Sequence, residues 1–236
     1  MTMFTKLMSA AFLLLVFSAT SIAAPIKGTI SYKGTVPEPV VTKTGKYKKV
    51  CGPKFIDESL LVDKNGVQNV VVWLSVKDAK KKLKGEPGNY QLDQNKCRYE
   101  PHVTVMSKGS ELEILSSDPI NHNIHTYSFD NDPINMMFTP GQEHELEFDE
   151  PEPIKVECDL HGWMKAWVFV TPNNFHSLSQ SGGGYEIPDV PKGKYTLNFW
   201  HEKLGEMSQK IVVGDEPLAI DVEFPDLTPK VSQKKN

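Results

Sequence analysis

The sequence predicts an all-β protein that contains two β-sandwiches, and three features of the chain point to this fold class. Nearly every apolar stretch is short, rich in β-branched or aromatic residues, and bounded by Gly, Pro, Asn or Asp, as strands usually are. Hydrophobic residues make up 39% of the 236 residues, which is enough to build a buried core. The single helical candidate, residues 76–84, is short and lysine-rich, so we interpret it as a solvated loop.

The N-terminus has the order of a secretory signal peptide. Lys6 is followed by an apolar run over residues 8–19 and then by the small residues Ser21 and Ala23. We expect cleavage after Ala23, which makes residues 1–23 the signal peptide and the mature protein periplasmic or secreted. The alternative, a buried helix or membrane anchor, is opposed by the short apolar run, and no other run is long enough to predict a membrane span.

The charge of the mature chain excludes several partners. Removing Lys6 leaves 25 basic against 30 acidic residues, so the mature net charge is −5. A nucleic-acid-binding protein usually shows a basic excess, and none is present here. Arg98 is the only arginine, so bidentate arginine clamps for phosphate or carboxylate are nearly absent.

The predicted strands fall into two groups along the mature chain. The first group covers residues 28–32, 70–76, 102–106, 111–115, 123–129, 145–148, 154–158 and 166–170. The second group covers residues 185–187, 194–200, 208–213 and 218–224. In strand 194–200, Tyr195, Leu197 and Phe199 fall on one face, as a half-buried strand requires. Many short strands with regular turn signals favour β-sandwiches over alternating strands and helices.

Three cysteines in an exported protein leave one cysteine without a partner. Cys51 and Cys97 lie in polar, turn-like settings, whereas Cys158 ends the alternating strand 154–158 and faces inward. We therefore expect a disulfide between Cys51 and Cys97, with Cys158 as a buried free thiol. The other two pairings remain open on sequence alone.

The stretch from Cys158 to Met164 places a thiol, an imidazole and a thioether three residues apart, at Cys158, His161 and Met164. A type 1 copper ion uses one Cys, two His and a weak axial Met. The second imidazole is expected from His122, with His125 as the rival ligand. Because residues three apart in a strand face opposite ways, only one of these two histidines should reach the same metal.

Zinc and haem fit this stretch less well than copper. Zinc would need a fourth strong donor, and a thioether is a poor one. A covalently attached haem would need Cys-x-x-Cys-His, which the sequence lacks. The remaining alternative is a buried structural thiol beside a surface histidine.

At these residues the chain resembles the cupredoxins, most closely the amicyanin type. That family pairs a His-Asn-Val-His-Phe-like strand with a Cys-x-x-His-x-x-Met loop, and residues 122–126 here read His-Asn-Ile-His-Thr. The resemblance covers roughly residues 100–172 and implies a cupredoxin Greek-key β-sandwich. It implies that one type 1 copper ion is held by His122, Cys158, His161 and Met164. It also favours His122 over His125 and implies that hydrogen bonds of Asn123 stiffen the ligand loops.

Trp163 lies between two of the implied ligands. The resemblance implies that the second histidine ligand, His161, has an edge near solvent. Trp163 would then either form the apolar patch through which electrons leave, or pack over the metal and shield it.

The rest of the chain carries two further resemblances. Residues 93–102 are similar to a group of exported cupredoxin-like proteins often labelled methylamine utilization proteins. Residues 187–197 and the strand at 28–34 resemble the carboxypeptidase regulatory-like, transthyretin-like β-sandwich. We expect a signal peptide (1–23), the N-terminal part of this sandwich (24–67), an inserted cupredoxin domain (68–172), the C-terminal part of the sandwich (173–225) and a polar tail (226–236).

The expected function is that of a periplasmic blue copper protein, a monomeric one-electron carrier with no enzymatic activity. Its partner would be a redox protein such as a cytochrome or a dehydrogenase. A copper-handling or copper-delivery protein is the alternative. An oxidase or nitrite reductase would need further copper on His-x-His pairs, which the sequence lacks, and a metal-free scaffold is the remaining class.

Overall fold

The structure is a computed structural model, and it describes residues 23–76, 83 and 87–226. The predicted signal peptide up to residue 22, the polar tail beyond residue 226 and most of the 76–84 loop lie outside these residues. The chain is all-β, as the sequence predicts. Within the described ranges, no helix is long and apolar enough to cross a membrane.

The strands follow one another along the chain with short connections. The N-terminal part forms β1 (Ala24–Tyr32), β2 (Val41–Lys43), β3 (Lys54–Ile56), β4 (Val62–Asp63), β5 (Gly66–Val67) and β6 (Val71–Ser75). The middle part forms β7 (Asn89–Asn95), β8 (Arg98–Glu100), β9 (Val103–Ser107), β10 (Ser110–Ser116), β11 (His122–Tyr127), β12 (Asn135–Phe138), β13 (Glu143–Phe148), β14 (Pro153–Glu157) and β15 (Lys165–Thr171). The C-terminal part forms β16 (His176–Leu178), β17 (Gly184–Val190), β18 (Gly193–His201), β19 (Gly205–Val213), β20 (Leu218–Ala219) and β21 (Val222–Phe224).

Strands β7 to β15 form one sandwich, which we call the inserted sandwich. One sheet has the order β13-β10-β7-β8 and the other has the order β12-β11-β14-β15-β9. Alternate residues of each strand point between the sheets and form one buried cluster, because the side-chain period of a strand is two. The cluster includes Leu92, Met106, Leu112, Ile114, Ile124, Phe138, Phe148, Ile154, Val156 and Val168, together with Cys158 and Met164.

Strands from both ends of the chain form a second sandwich, which we call the flanking sandwich. Its first sheet has the order β17-β1-β5-β4, with β20 and β21 pairing in parallel along β1. Its second sheet has the order β16-β6-β18-β19. Tyr195, Leu197 and Phe199 of β18 point into the core between the two sheets, on the face that the sequence predicts.

The pairing of β6 corrects the predicted domain boundary at residue 68. That boundary put strand 70–76 in the copper-binding domain, but β6 pairs with β16 and β18 of the flanking sandwich. Val72 and Leu74 point into the flanking core, whereas Val71 and Trp73 face the inserted sandwich. The strand is therefore apolar on both faces because it lies between two cores, and the inserted sandwich begins only at β7.

An aromatic cluster joins the two sandwiches. Trp73 and Trp200 of the flanking sandwich pack against Trp167 and Phe169 of the inserted sandwich, with ring centroids 4.9 to 5.2 Å apart. At the edge of this cluster, the His102 ring of the inserted sandwich is hydrogen-bonded to the Glu202 carboxylate of the flanking one. The two sandwiches therefore share a packed apolar interface.

A short excursion, residues 41–56, belongs to neither sandwich, and we call it the hairpin. Strands β2 and β3 pair with each other, and a 3-10 turn (Gly45–Tyr47) and helix α1 (Lys48–Cys51) lie between them. A disulfide joins Cys51 of the hairpin to Cys97 of the inserted sandwich, which is the pair the sequence favours. Sequence analysis did not predict these elements because the segment is lysine-rich and has no strand-like alternation.

Candidate metal centre

His122 is the first residue of β11, and its side chain is fully buried. Its Nε2 atom lies 2.8 Å from Oδ2 of Asp118, and its Nδ1 atom lies 3.0 Å from Nδ1 of His161. Because a carboxylate only accepts hydrogen bonds, Nε2 carries the hydrogen. In the neutral ring, Nδ1 then keeps a free lone pair directed at the same point as the His161 ring.

The loop from Cys158 to Met164 folds as two successive tight turns. The His161 amide donates to the Cys158 carbonyl at 3.3 Å, and the Met164 amide donates to the His161 carbonyl at 2.8 Å. The Cys158 amide in turn donates to the Met164 carbonyl at 3.2 Å. These hydrogen bonds bring the side chains of Cys158 and His161 close together, and Sγ of Cys158 lies 3.7 Å from Nδ1 of His161.

Cys158 is the free cysteine, and it is buried. Burial alone would raise the pKa of its thiol. Hydrogen bonds from the His122 and His161 rings and from the backbone amides of Asn123 and Leu160 outweigh this effect and lower the pKa to about 6. Without a metal, the thiol is therefore poised to be a thiolate at neutral pH, which is the form that binds metals.

The pKa of His122 moves in the opposite direction. Burial alone would lower it, but the hydrogen bonds and charges of Asp118 and Cys158 raise the pKa to about 9. The His122 imidazolium and the Cys158 thiolate are therefore buried side by side. A metal ion can bind here by replacing the proton on the His122 ring and bonding to the sulfur.

Met164 is fully buried at the end of the loop and belongs to the same apolar cluster as Cys158. Asn123 connects the loop to its neighbours. Its side-chain oxygen accepts from the Asp159 amide at 2.7 Å, and its amide donates to Asp159 Oδ2 at 3.1 Å and to Asn135 Oδ1 at 3.0 Å. Strand β11, strand β12 and the ligand loop are thus held together by one side chain.

His125 lies apart from this group of donors. Its Nδ1 atom lies 3.0 Å from Asp159 Oδ1, its ring stacks on Tyr127, and its side chain is 30% exposed. The structure therefore brings His122, and not His125, to Cys158 and His161.

Asp118 was missed by sequence reasoning. Besides the His122 ring, it accepts the backbone amides of Lys96 at 2.8 Å and Cys97 at 2.7 Å. Burial alone would raise the pKa of its carboxyl, but these hydrogen bonds lower it, so the group is a carboxylate. The available signal was its position four residues before His122, in a turn that leads into the strand.

The expectation that His161 has an edge near solvent is wrong for this chain, because His161 is only 1% exposed. Tyr47 of the hairpin contacts its ring edge-on with centroids 4.3 Å apart, and Trp163 lies 5.2 Å away. The indole nitrogen of Trp163 donates to the Cys97 carbonyl at 3.2 Å. Trp163 is therefore packed against His161, and Tyr47, which no sequence signal indicated, covers the same ring.

The donor set fits copper. Potential ligand atoms of His122, Cys158 and His161 lie within 4.8 Å of one another, and all three residues are buried. Among the described residues, the other group of this kind combines His122 and Asp118 with Cys97, whose sulfur is already in the disulfide. One thiolate and two imidazoles with a nearby thioether match a type 1 copper site, whereas zinc prefers a fourth strong donor.

Comparisons with known proteins show similarity to part of the chain. No protein-family model and no curated protein matches the sequence. Among solved structures, a Cu-containing nitrite reductase from Thermus scotoductus SA-01 is 18% identical (TM-score 0.34), over 36% of this chain but only 23% of its own. A purple cupredoxin from Nitrosopumilus maritimus is 21% identical (TM-score 0.31), over 35% of this chain and 99% of its own. An oxidized mutant of amicyanin is 19% identical (TM-score 0.33), over 42% of this chain and 98% of its own.

Proposed function

We propose that this protein is a type 1 copper protein that carries single electrons. The observation that carries the proposal is the convergence of ligand atoms of His122, His161 and Cys158 within 4.8 Å in a buried site, where the two Nδ1 atoms lie 3.0 Å apart. Bound copper would supply a one-electron couple between Cu(I) and Cu(II). His122, His161, Cys158 and Met164 would hold it.

The surroundings of the ligands favour a carrier over an enzyme. Asp118 and Asn123 fix the donors through hydrogen bonds, and donors held in one arrangement would limit the rearrangement of the site during electron transfer. His161 is covered by Tyr47 and Trp163, which leaves a substrate no approach along that ring. The same cover opposes a copper-delivery role, because a receiving protein would have to reach a ligand to take the metal.

The remaining features of the proposal concern location and assembly. The Cys51–Cys97 disulfide and the predicted signal peptide favour the periplasm or the extracellular space, since disulfides persist in oxidising compartments. We further propose that the flanking sandwich is transthyretin-like, that the chain belongs with the exported methylamine utilization protein-like group, and that it acts as a monomer with a cytochrome or a dehydrogenase.

The test is to titrate the purified mature protein with Cu(II) and record visible absorption and electron paramagnetic resonance. A strong thiolate-to-copper band and narrow hyperfine splitting are expected at one copper per chain. Cys158→Ala and His122→Ala should abolish both signals, whereas His125→Ala should keep them. A colourless protein that binds no copper, or loss of the signals in His125→Ala alone, would contradict the proposal.

A further inference from the structure

The hairpin carries an unusual charge for this protein. Residues 41–56 contain five lysines and neither Asp nor Glu, although the chain as a whole has a net charge of −4. The five are all exposed: Lys43, Lys46, Lys48, Lys49 and Lys54. Among the described residues, none of the ion pairs involves any of these lysines, so no carboxylate of the described chain pairs with them.

Tyr47 lies at the centre of this basic segment and also contacts the candidate metal centre. One side of its ring meets His161 at a centroid distance of 4.3 Å, while the residue remains partly exposed. The ammonium group of Lys46 lies 4.9 Å from the centre of the same ring. Tyr47 therefore links a buried ligand to a positively charged surface through a direct aromatic contact.

The hairpin is fixed in this position by several independent contacts. The Cys51–Cys97 disulfide attaches α1 to the inserted sandwich, Val50 packs against the buried cluster of that sandwich, and the Arg98 guanidinium lies 4.8 Å from the centre of the Phe55 ring. Trp163 of the ligand loop donates to the carbonyl of Cys97 itself. The lysines consequently keep a defined position relative to His161 and can orient an approaching protein.

On the basis of the proposed electron-carrier function, we propose that the lysine-rich surface around Tyr47 is the docking surface for an acidic redox protein, and that electrons pass through Tyr47. Complementary charges steer a partner during its approach and fix its orientation. The local positive charge attracts an acidic partner although the whole molecule is negative. The other surface at which a partner could dock is apolar. It includes Leu160 of the ligand loop, which is 43% exposed, and Met137, which is 49% exposed.

The sign of the salt dependence tests this inference. The copper(I) protein is mixed in a stopped-flow instrument with hexacyanoferrate(III), an anion, or with tris(phenanthroline)cobalt(III), a cation, at low and high ionic strength. If electrons leave near Tyr47, oxidation by the anion slows as salt is added, and oxidation by the cation accelerates. If they leave elsewhere on this negative protein, both trends reverse, which would overturn the inference.

Two charge-matched variants locate the effect. Lys46→Glu/Lys49→Glu should slow oxidation by hexacyanoferrate at low salt by about tenfold and leave the visible spectrum unchanged. Lys194→Glu/Lys210→Glu changes two exposed lysines of the flanking sandwich and should leave the rate near that of the parent. Equal slowing in both pairs would show that only net charge matters and would reject the docking surface.

An acidic polypeptide serves as a surrogate for the partner. Poly-glutamate should compete with hexacyanoferrate and slow oxidation of the parent and of Lys194→Glu/Lys210→Glu, but not of Lys46→Glu/Lys49→Glu. Slowing that depends instead on Leu160→Ser would assign docking to the apolar surface and reject this one. A protein without the blue band would refute the electron-carrier proposal itself, whereas a blue protein with the opposite salt dependence would refute only the docking surface.

Discussion

At the scale of single residues, Asp118 decides which nitrogen of His122 faces the candidate metal. Its carboxylate accepts the Nε2 hydrogen and is itself held by the backbone amides of Lys96 and Cys97. A fixed carboxylate raises the basicity of the ring and prevents its rotation. The turn at Lys96 and Cys97 therefore helps to hold His122 in position through Asp118.

Replacing Asp118 with Asn should weaken copper binding. The amide lacks the negative charge and has one acceptor atom for three donors, so His122 is held less firmly. The copper dissociation constant, measured by competition with a chelator, should rise by about 10- to 100-fold. Asp93→Asn is the control, because Asp93 accepts the Ser117 amide at 3.2 Å and is not one of the groups that hold His122. Unchanged affinity in Asp118→Asn would argue against this role.

The acidity of Cys158 gives a second prediction at this scale. Its pKa is lowered from 9.0 to about 6, so the copper-free protein should gain thiolate ultraviolet absorbance with a midpoint near pH 6. A lowered folded-state pKa stabilises the fold above the unfolded pKa, and this contribution is lost as pH falls through about 6. Cys158→Ser should show no such titration, and a midpoint near 9 in the parent would contradict the hydrogen-bonding pattern.

At the scale of elements, the hairpin acts as a cover for the ligand loop. It is a small element with a minimal core of its own, and its position depends on contacts with the inserted sandwich, among them the disulfide and the contact between Tyr47 and His161. An element of this size would not be stable alone in water, because an isolated two-stranded hairpin is marginal at best. Its order therefore comes from the sandwich to which it is attached.

Removing the Tyr47 ring should expose His161 and speed copper loss. Tyr47→Ala deletes a half-buried aromatic side chain and should lower the free energy of unfolding by about 1–2 kcal/mol. Transfer of copper to an excess of chelator should become several-fold faster, whereas Tyr47→Phe, which keeps the ring, should resemble the parent. Equal transfer rates in all three proteins would show that the ring does not cover the site.

At the scale of the whole molecule, we expect the aromatic cluster to make the two sandwiches unfold together. Trp200 is buried between them and contacts both Trp167 and Phe169. The flanking sandwich is formed by strands β1 and β4–β6 and by strands β16–β21, and the inserted sandwich lies between these two groups in the sequence. Interfaces of this kind couple the unfolding of the parts that they join.

Trp200→Ala should weaken this coupling. Loss of a buried Trp side chain typically costs about 3–5 kcal/mol. Calorimetry should show one unfolding transition for the parent protein, and two transitions beginning at lower temperature for Trp200→Ala. Val212→Ala, at an exposed position of β19, should leave the transition intact. A single unshifted transition in Trp200→Ala would contradict the coupling.

Local information in the sequence was sufficient for most strands and for the ligand types. Alternation marked strands such as β10, β14 and β18, because one face of each is buried and most of the other is at least partly accessible to solvent. The three-residue spacing of Cys158, His161 and Met164 could also be interpreted from the sequence alone, since two tight turns within this short segment bring the residues together. Strand β7 was not predicted because its buried positions include Gln94, which breaks the apolar alternation.

Only the tertiary structure decided what surrounds those ligands. Tyr47 contacts His161, which is far from it in the sequence. Asp118 binds both the His122 ring and the backbone amide of Cys97, which lies in another segment of the chain. The placement of β6 likewise depends on two cores meeting across one strand. Periodicity and spacing describe how a segment buries its own side chains, whereas the partner that covers them is chosen by packing of the whole chain.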